Sequence, residues 1–185
     1  MFNVQNVKEI NFMKNLIQRI NHYNMPNYLS HILTSHYNDN FIKMSVIKEK
    51  KNYIFSYDIG RYKKINLKKL NFEQKIDLLL AICRIKRENE ETLIPASEYL
   101  IEPELIYSID ENSLNGMKMI FYPDSQKLSF DKKIYLFANR IIDVSSAKEL
   151  LFLKSFNDIA ICRNTTGILQ FLYKTKRKLQ EAGNV

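Results

Sequence analysis

From Phe72 to Arg87 the apolar residues Phe72, Ile76, Leu79, Leu80, Cys83 and Ile85 recur at helical spacing, and Asn71 stands just before them. Asparagine accepts hydrogen bonds from the free amides at a helix start, so the segment predicts a long amphipathic helix capped by Asn71. A stripe this wide must be covered by other elements. The longest uninterrupted apolar run, Leu78 to Cys83, lies inside it and is far too short to cross a membrane. The two sides of this helix read differently, and that asymmetry sets the fold class.

On the amino-terminal side, residues 10 to 23 fit two patterns. Ile10, Met13, Ile17 and Ile20 suit a helix; Phe12, Leu16 and Ile20, with Lys14 and Gln18 between them, suit a strand. Pro26 opens a short helix carrying Tyr28, Leu29, Ile32, Leu33 and His36, and Asn38-Asp39-Asn40 ends it. Phe41–Lys48 and Asn52–Ile59 are β-rich and predict an antiparallel hairpin turning at Glu49–Asn52. On the carboxy-terminal side, the acidic run Glu88, Glu90 and Glu91 follows the helix and Pro95 opens an irregular stretch. Short strands are expected at Leu105–Ile109 and Met117–Tyr122, turning at Glu111–Gly116. Helices are expected at about Asp131–Asp143, Ser146–Phe156 and Thr165–Gln180. Strands and helices are segregated, which is the α+β pattern. The expected organisation is one domain of two parts: residues 1–71 with antiparallel strands, and residues 72–185, mainly helical. With 185 residues, 45% of them hydrophobic, the chain needs neither disulfides nor metal to fold.

Several chemistries are excluded by residue type and spacing. The first glycine is Gly60, so no glycine-rich phosphate loop precedes it. His31 and His36 are five apart, which separates them on a helix, and His22 stands alone. Cys83 and Cys162 have no CxxC or Cys/His context, so no metal site and no cofactor are expected. Both cysteines are expected to be buried, reduced thiols. Ser56, Ser97 and Ser108 lack a nucleophile motif. The Glu102/Glu104 pair reads as a solvated turn. Met1 to Ile10 carries no signal-peptide core, so the expected location is cytoplasmic.

The net charge of +8 is uneven. Lys43–Leu70 holds nine Lys/Arg and two acids, whereas Glu88–Asp124 holds nine acids and one Lys. Such a layout gives a molecule a strong dipole.

Glu98-Tyr99-Leu100-Ile101-Glu102-Pro103-Glu104-Leu105, set between a long helix and a short hairpin, resembles the catalytic-loop region of the protein-kinase fold. Pro103-Glu104 match the motif H-R-D-L-K-P-E-N. Glu98 and Tyr99 stand at its His and Arg positions, Leu100 at its base Asp, and Leu105 at its metal-binding Asn. Phosphoryl transfer needs a carboxylate to take the hydroxyl proton and oxygen ligands for Mg²⁺, and leucine offers neither. The D-F-G position falls near Phe121-Tyr122-Pro123, where only a register shift brings in Asp124. No acid lies between Glu9 and Asp39, so the usual ion-pairing glutamate of the small lobe is missing too, and Lys14 has none to pair with.

Tyr57-Asp58-Ile59-Gly60, the Tyr99–Tyr107 segment and Met119-Ile120-Phe121-Tyr122-Pro123 are similar to an uncharacterised domain of Gram-positive bacteria that commonly precedes a forkhead-associated domain. More distantly, the arrangement resembles the pseudokinase domain of EssB/YukC, a membrane component of type VII secretion. The resemblance implies a degenerate kinase-like fold with a small amino-terminal lobe and a mainly helical carboxy-terminal lobe. It implies no enzyme, but a scaffold for proteins of a secretion or envelope complex at the inner face of the membrane.

The candidate interaction surface is basic: Lys50, Lys51, Lys63, Lys64, Lys68 and Lys69, with Lys174, Lys176, Arg177 and Lys178 at the end of the last helix. Juxtamembrane cations attract anionic lipid. The alternative is nucleic-acid binding, from pI 9.3 and from Tyr53, Phe55, Tyr57 and Tyr62 interleaved with Lys/Arg. A hairpin turns half of those rings into a core, and no known reader motif is present.

Overall fold

The computed structural model describes residues 15–21, 23–35, 37–50, 52–162 and 165–183. The readings placed on Ile10, Phe12, Met13, Lys14, His22, His36 and Lys51 lie outside them. The chain is α+β, with five helices and two small antiparallel sheets among the described residues.

The first sheet is built from β1 (Asn15–Asn21), β2 (Met44–Glu49) and β3 (Asn52–Asp58), in the order β1-β3-β2. The ambiguous amino-terminal stretch is therefore a strand where it is described, pairing Gln18 with Phe55 and Leu16 with Tyr57. The predicted hairpin forms, with Val46 opposite Phe55, and Lys50 turns the chain in the left-handed region at φ 55°. Strand alternation puts Tyr53, Phe55 and Tyr57 on the buried face. The helix α1 (Asn27–Thr34) is inserted between β1 and β2 and buries Leu29 and Leu33.

The second sheet, order β4-β5-β6, joins β4 (Lys63–Lys64), β5 (Ile106–Ser108) and β6 (Lys118–Met119). The expected β5–β6 hairpin is present but shorter than its apolar runs. Its turn needs Gly116 (φ 62°), where an added Cβ would come within 2.7 Å of the Ile109 side chain. Pairing of β4 with β5 was not expected from the sequence.

Helix α2 (Phe72–Glu91) starts in a capping box: Asn71 Oδ1 accepts from the Gln74 amide and Gln74 Oε1 accepts from the Asn71 amide, each at 2.9 Å. It runs past Arg87. The acidic residues expected after the helix lie on it, with Glu88, Glu90 and Glu91 one turn beyond Arg84, Lys86 and Arg87 in i,i+4 ion pairs. Helices α3 (Phe130–Ile141), α4 (Ala147–Ile161) and α5 (Thr165–Gly183) complete the chain. Phe152 stacks with Phe156 and Phe171, and Phe72 meets it edge-on, where α2, α4 and α5 meet. Cys83 is buried, as expected, but Cys162 at the end of α4 is exposed, because helical rotation turns it to the outer side. No described helix is long and apolar enough to cross a membrane.

Candidate functional site: a closed seam and a basic ridge

The catalytic-loop-like segment lies where the first sheet meets the helical part. Aromatic residues reach this seam from β3 and from the segments at Phe41, Tyr99 and Phe121. Phe41 packs edge-on against Tyr99 and Phe121, with centroids 5.1 and 5.6 Å apart, and Phe55 lies 6.3 Å from both Tyr57 and Phe121. Tyr57, Phe55, Tyr99 and Phe121 have no exposed surface. The phenol of Tyr57 donates to the Phe121 carbonyl at 2.6 Å. Two backbone bonds close the same seam: the Ile42 amide to the Met119 carbonyl, and the Met119 amide to the Asn40 carbonyl, both 2.8 Å. Burial pushes the Tyr99 phenol up to about 12, although its bond from Asn89 Nδ2 pulls the other way.

Next to the rings sit buried polar groups, each satisfied by its own partners. Lys133, on α3, meets Asp124 Oδ2 at 2.8 Å, with both side chains almost wholly buried. Its ammonium also donates to the carbonyls of Ala96 and Tyr99 at 2.6 Å. Asp124 additionally accepts the amides of Gln126 and Leu128, each at 2.9 Å. Burial lowers the Lys133 pKa, and the Asp124 carboxylate opposes that shift. Glu98 takes Lys127 on one oxygen at 2.7 Å and the Tyr23 phenol on the other at 3.2 Å. Burial and the Glu98 charge raise the Tyr23 phenol well above its usual value. Asn89, on α2 and fully buried, receives amide donors from Asn38 and Asn40.

These contacts decide what the predicted loop residues do. Glu98 and Tyr99 bind structural partners. Leu100 is half-buried, and its amide donates to the Tyr122 carbonyl at 2.8 Å. Glu102 and Glu104 are not the free acids of a solvated turn, because Arg140 of α3 bridges them, reaching Glu104 at 2.5 Å. Glu102 nevertheless has a raised pKa, first through burial, against the pull of Arg140. Pro103 starts a short 3-10 turn, and Leu105 is half-buried above β5. Asp124 is brought to the seam, as the register shift allowed, but its oxygens are committed to Lys133 and two amides. Among the described residues no cluster of His, Cys, Asp and Glu is arranged to hold a metal ion.

The basic candidates separate into patches. Lys63 and Lys64 on the edge strand β4, and Lys68 and Lys69 in the 3-10 turn after it, are exposed, as is Arg61, and none meets a carboxylate among the described residues. Together they form a ridge from Arg61 to Lys69. Lys50 is exposed at the other end of β3, about 20 Å away by the rise of a strand. On α5, Lys176 pairs with Asp77 at 2.6 Å and Arg177 with Glu181 at 3.4 Å, while Lys174 and Lys178 point to solvent. Ile168 and Leu172 of the same helix are fully buried, so its apolar face is covered by protein. Tyr53, Phe55 and Tyr57 face the core, which removes them as base-stacking platforms. Sequence reasoning missed Lys133 and Asn89, since nothing local distinguishes them from solvated helix residues. No family model and no curated protein matches the chain.

Proposed function

We propose that the chain is a degenerate kinase-like domain, with residues 1–71 as the small lobe and 72–185 as the helical lobe, and that it is not an enzyme. It serves as a protein-docking scaffold in a membrane-associated secretion or envelope complex on the cytoplasmic side. The element order supports the kinase-like reading: a three-stranded sheet with one inserted helix, then a long helix, a Pro103-Glu104 loop and a short hairpin.

The seam carries the non-catalytic part. Where a phosphotransferase needs an open cleft with a base and metal ligands, this chain has Phe41, Phe55, Tyr57, Tyr99 and Phe121 packed together, and the Asp124 carboxylate at the seam holds Lys133. Thermal unfolding with and without ATP and Mg²⁺ tests it. A nucleotide at a hundred times its Kd adds about 2.7 kcal/mol to the stability of a protein that binds it in the native state. The expected result is no shift at millimolar nucleotide; a Mg²⁺-dependent rise in melting temperature contradicts the reading.

The ridge from Arg61 to Lys69 favours a second reading, binding of a nucleic-acid backbone. Its cations lack carboxylate partners among the described residues, so they are available to phosphates. A filter-binding titration separates the two: affinity that falls steeply with salt supports it, and no affinity at low salt removes it.

A further inference from the structure

Helix α4 buries Glu149, Phe152, Leu153, Phe156 and Ala160 and turns the opposite side to solvent. That outer side is not uniformly polar. Leu151 and Ile161 are each 68% exposed, well beyond what a core-facing position shows. Between them stand Lys154 and Asp158, both exposed and without a salt bridge among the described residues. The spacings 151, 154, 158, 161 are three, four and three, the seam of a two-stranded coiled coil.

The order of these four residues selects one partner. In an antiparallel pair of identical helices centred between Lys154 and Asp158, Leu151 meets the partner's Ile161 and Lys154 meets the partner's Asp158. Two apolar layers then flank two ion-paired layers, and the same patch serves both copies, as a two-fold interface requires. A parallel pairing sets lysine against lysine and aspartate against aspartate, which is repulsive. We propose that the outer face of α4 is a self-association surface, on which a second copy of this chain docks antiparallel through Leu151, Lys154, Asp158 and Ile161. The inference stands on α4 alone and does not rest on the kinase-like reading. It gives a scaffold two presenting copies without using the basic ridge.

The contact is small and belongs with weak, transient interfaces, so association is read at about 100 μM protein and above. Sedimentation equilibrium of the full chain is the test. The wild type is expected to show a monomer–dimer equilibrium. Asp158→Lys places four lysines at the centre and should weaken dimerisation at least about tenfold. The double exchange Lys154→Asp with Asp158→Lys restores opposite charges and should return the affinity to near the wild-type value. Unchanged circular dichroism melting shows that each variant folds, as expected for exposed positions. A wild type that stays monomeric to about 1 mM, an Asp158→Lys variant that dimerises normally, or a double exchange that fails to recover overturns the proposal. The first outcome leaves the stripe to a different protein.

Discussion

The acidic stretch from Glu88 to Asp124 and the basic stretch from Lys43 to Lys69 look like mirror images in the sequence, but the fold treats them oppositely. Glu88, Glu90 and Glu91 pair along α2, Glu98 holds Lys127, Glu102 and Glu104 share Arg140, and Asp124 is locked to buried Lys133. In the basic stretch, Arg61, Lys63, Lys64, Lys68 and Lys69 are exposed and make no ion pair among the described residues, although the Asn66 amide between them donates to the Glu111 carbonyl at 2.8 Å. Seven of the nine acids meet a cation among the described residues, and Glu98 and Asp124 do so while buried; Asp110 and Glu111 are exposed. The bases of the ridge are left without an ion-pair partner among the described residues. A charge run alone does not say whether it builds the molecule or meets another one.

The comparison breaks most severely at the buried pair. Lys133→Met leaves the Asp124 carboxyl buried without its cation, and should cost about 3–5 kcal/mol in urea unfolding. Replacing both residues with apolar ones should recover only part of that loss, because the Ala96 and Tyr99 carbonyls and the Gln126 and Leu128 amides lose these partners. If the single change costs under about 1 kcal/mol, the acids are not structural in the sense argued. Arg140→Ala, at the half-exposed end of the same stretch, should cost about 1 kcal/mol or less, because solvent screens Glu102 and Glu104. Changing Lys63, Lys64, Lys68 and Lys69 to Gln should leave stability within about 0.5 kcal/mol per site. The same variant should elute from a cation exchanger at clearly lower salt. A large loss of stability there would show that the ridge is also structural.

The thiols sharpen the contrast between inside and outside. Burial pushes Cys83 from 9.0 up to about 12, whereas Cys162 is exposed. A thiol reagent at pH 8 should label one cysteine per native chain and two after unfolding. Because the native Cys83 keeps its proton where the unfolded one loses it, the protein should also lose stability as pH rises from about 9 to about 12. Rapid native labelling of Cys83 would show that α2 is not packed as described.

Local signals made much of this fold legible. Asn71 marks the start of α2, and the aromatic and β-branched run at Tyr53, Ile54, Phe55 and Tyr57 marks β3. Other features depend on distant partners. Lys133 follows Lys132 in an ordinary amphipathic pattern, and only the carbonyls of Ala96 and Tyr99 with Asp124 make its burial tolerable. Asn89 sits in a charged run and is buried because Asn38, Asn40 and Tyr99 complete its hydrogen bonds. Helix α4 runs past its expected end at Phe156 to Ile161, and the added turn packs Ala160 in the core. The strand β4 has two residues, too few to leave a pattern. The resemblance at Glu98–Leu105 was readable; the aromatic seam beside it was not, since it joins Phe41, Phe55 and Phe121 across long separations.

Native-state hydrogen exchange at the seam tests the account most directly. The amides of Ile42 and Met119 link the first sheet to the helical part, beside the Tyr57 bond to Phe121. If the seam is a permanent core, both amides exchange only through global unfolding, with the same denaturant dependence as the amides of α2. If they exchange through a smaller opening while α2 stays protected, the two parts separate as lobes around a usable cleft, and the closed-seam account fails.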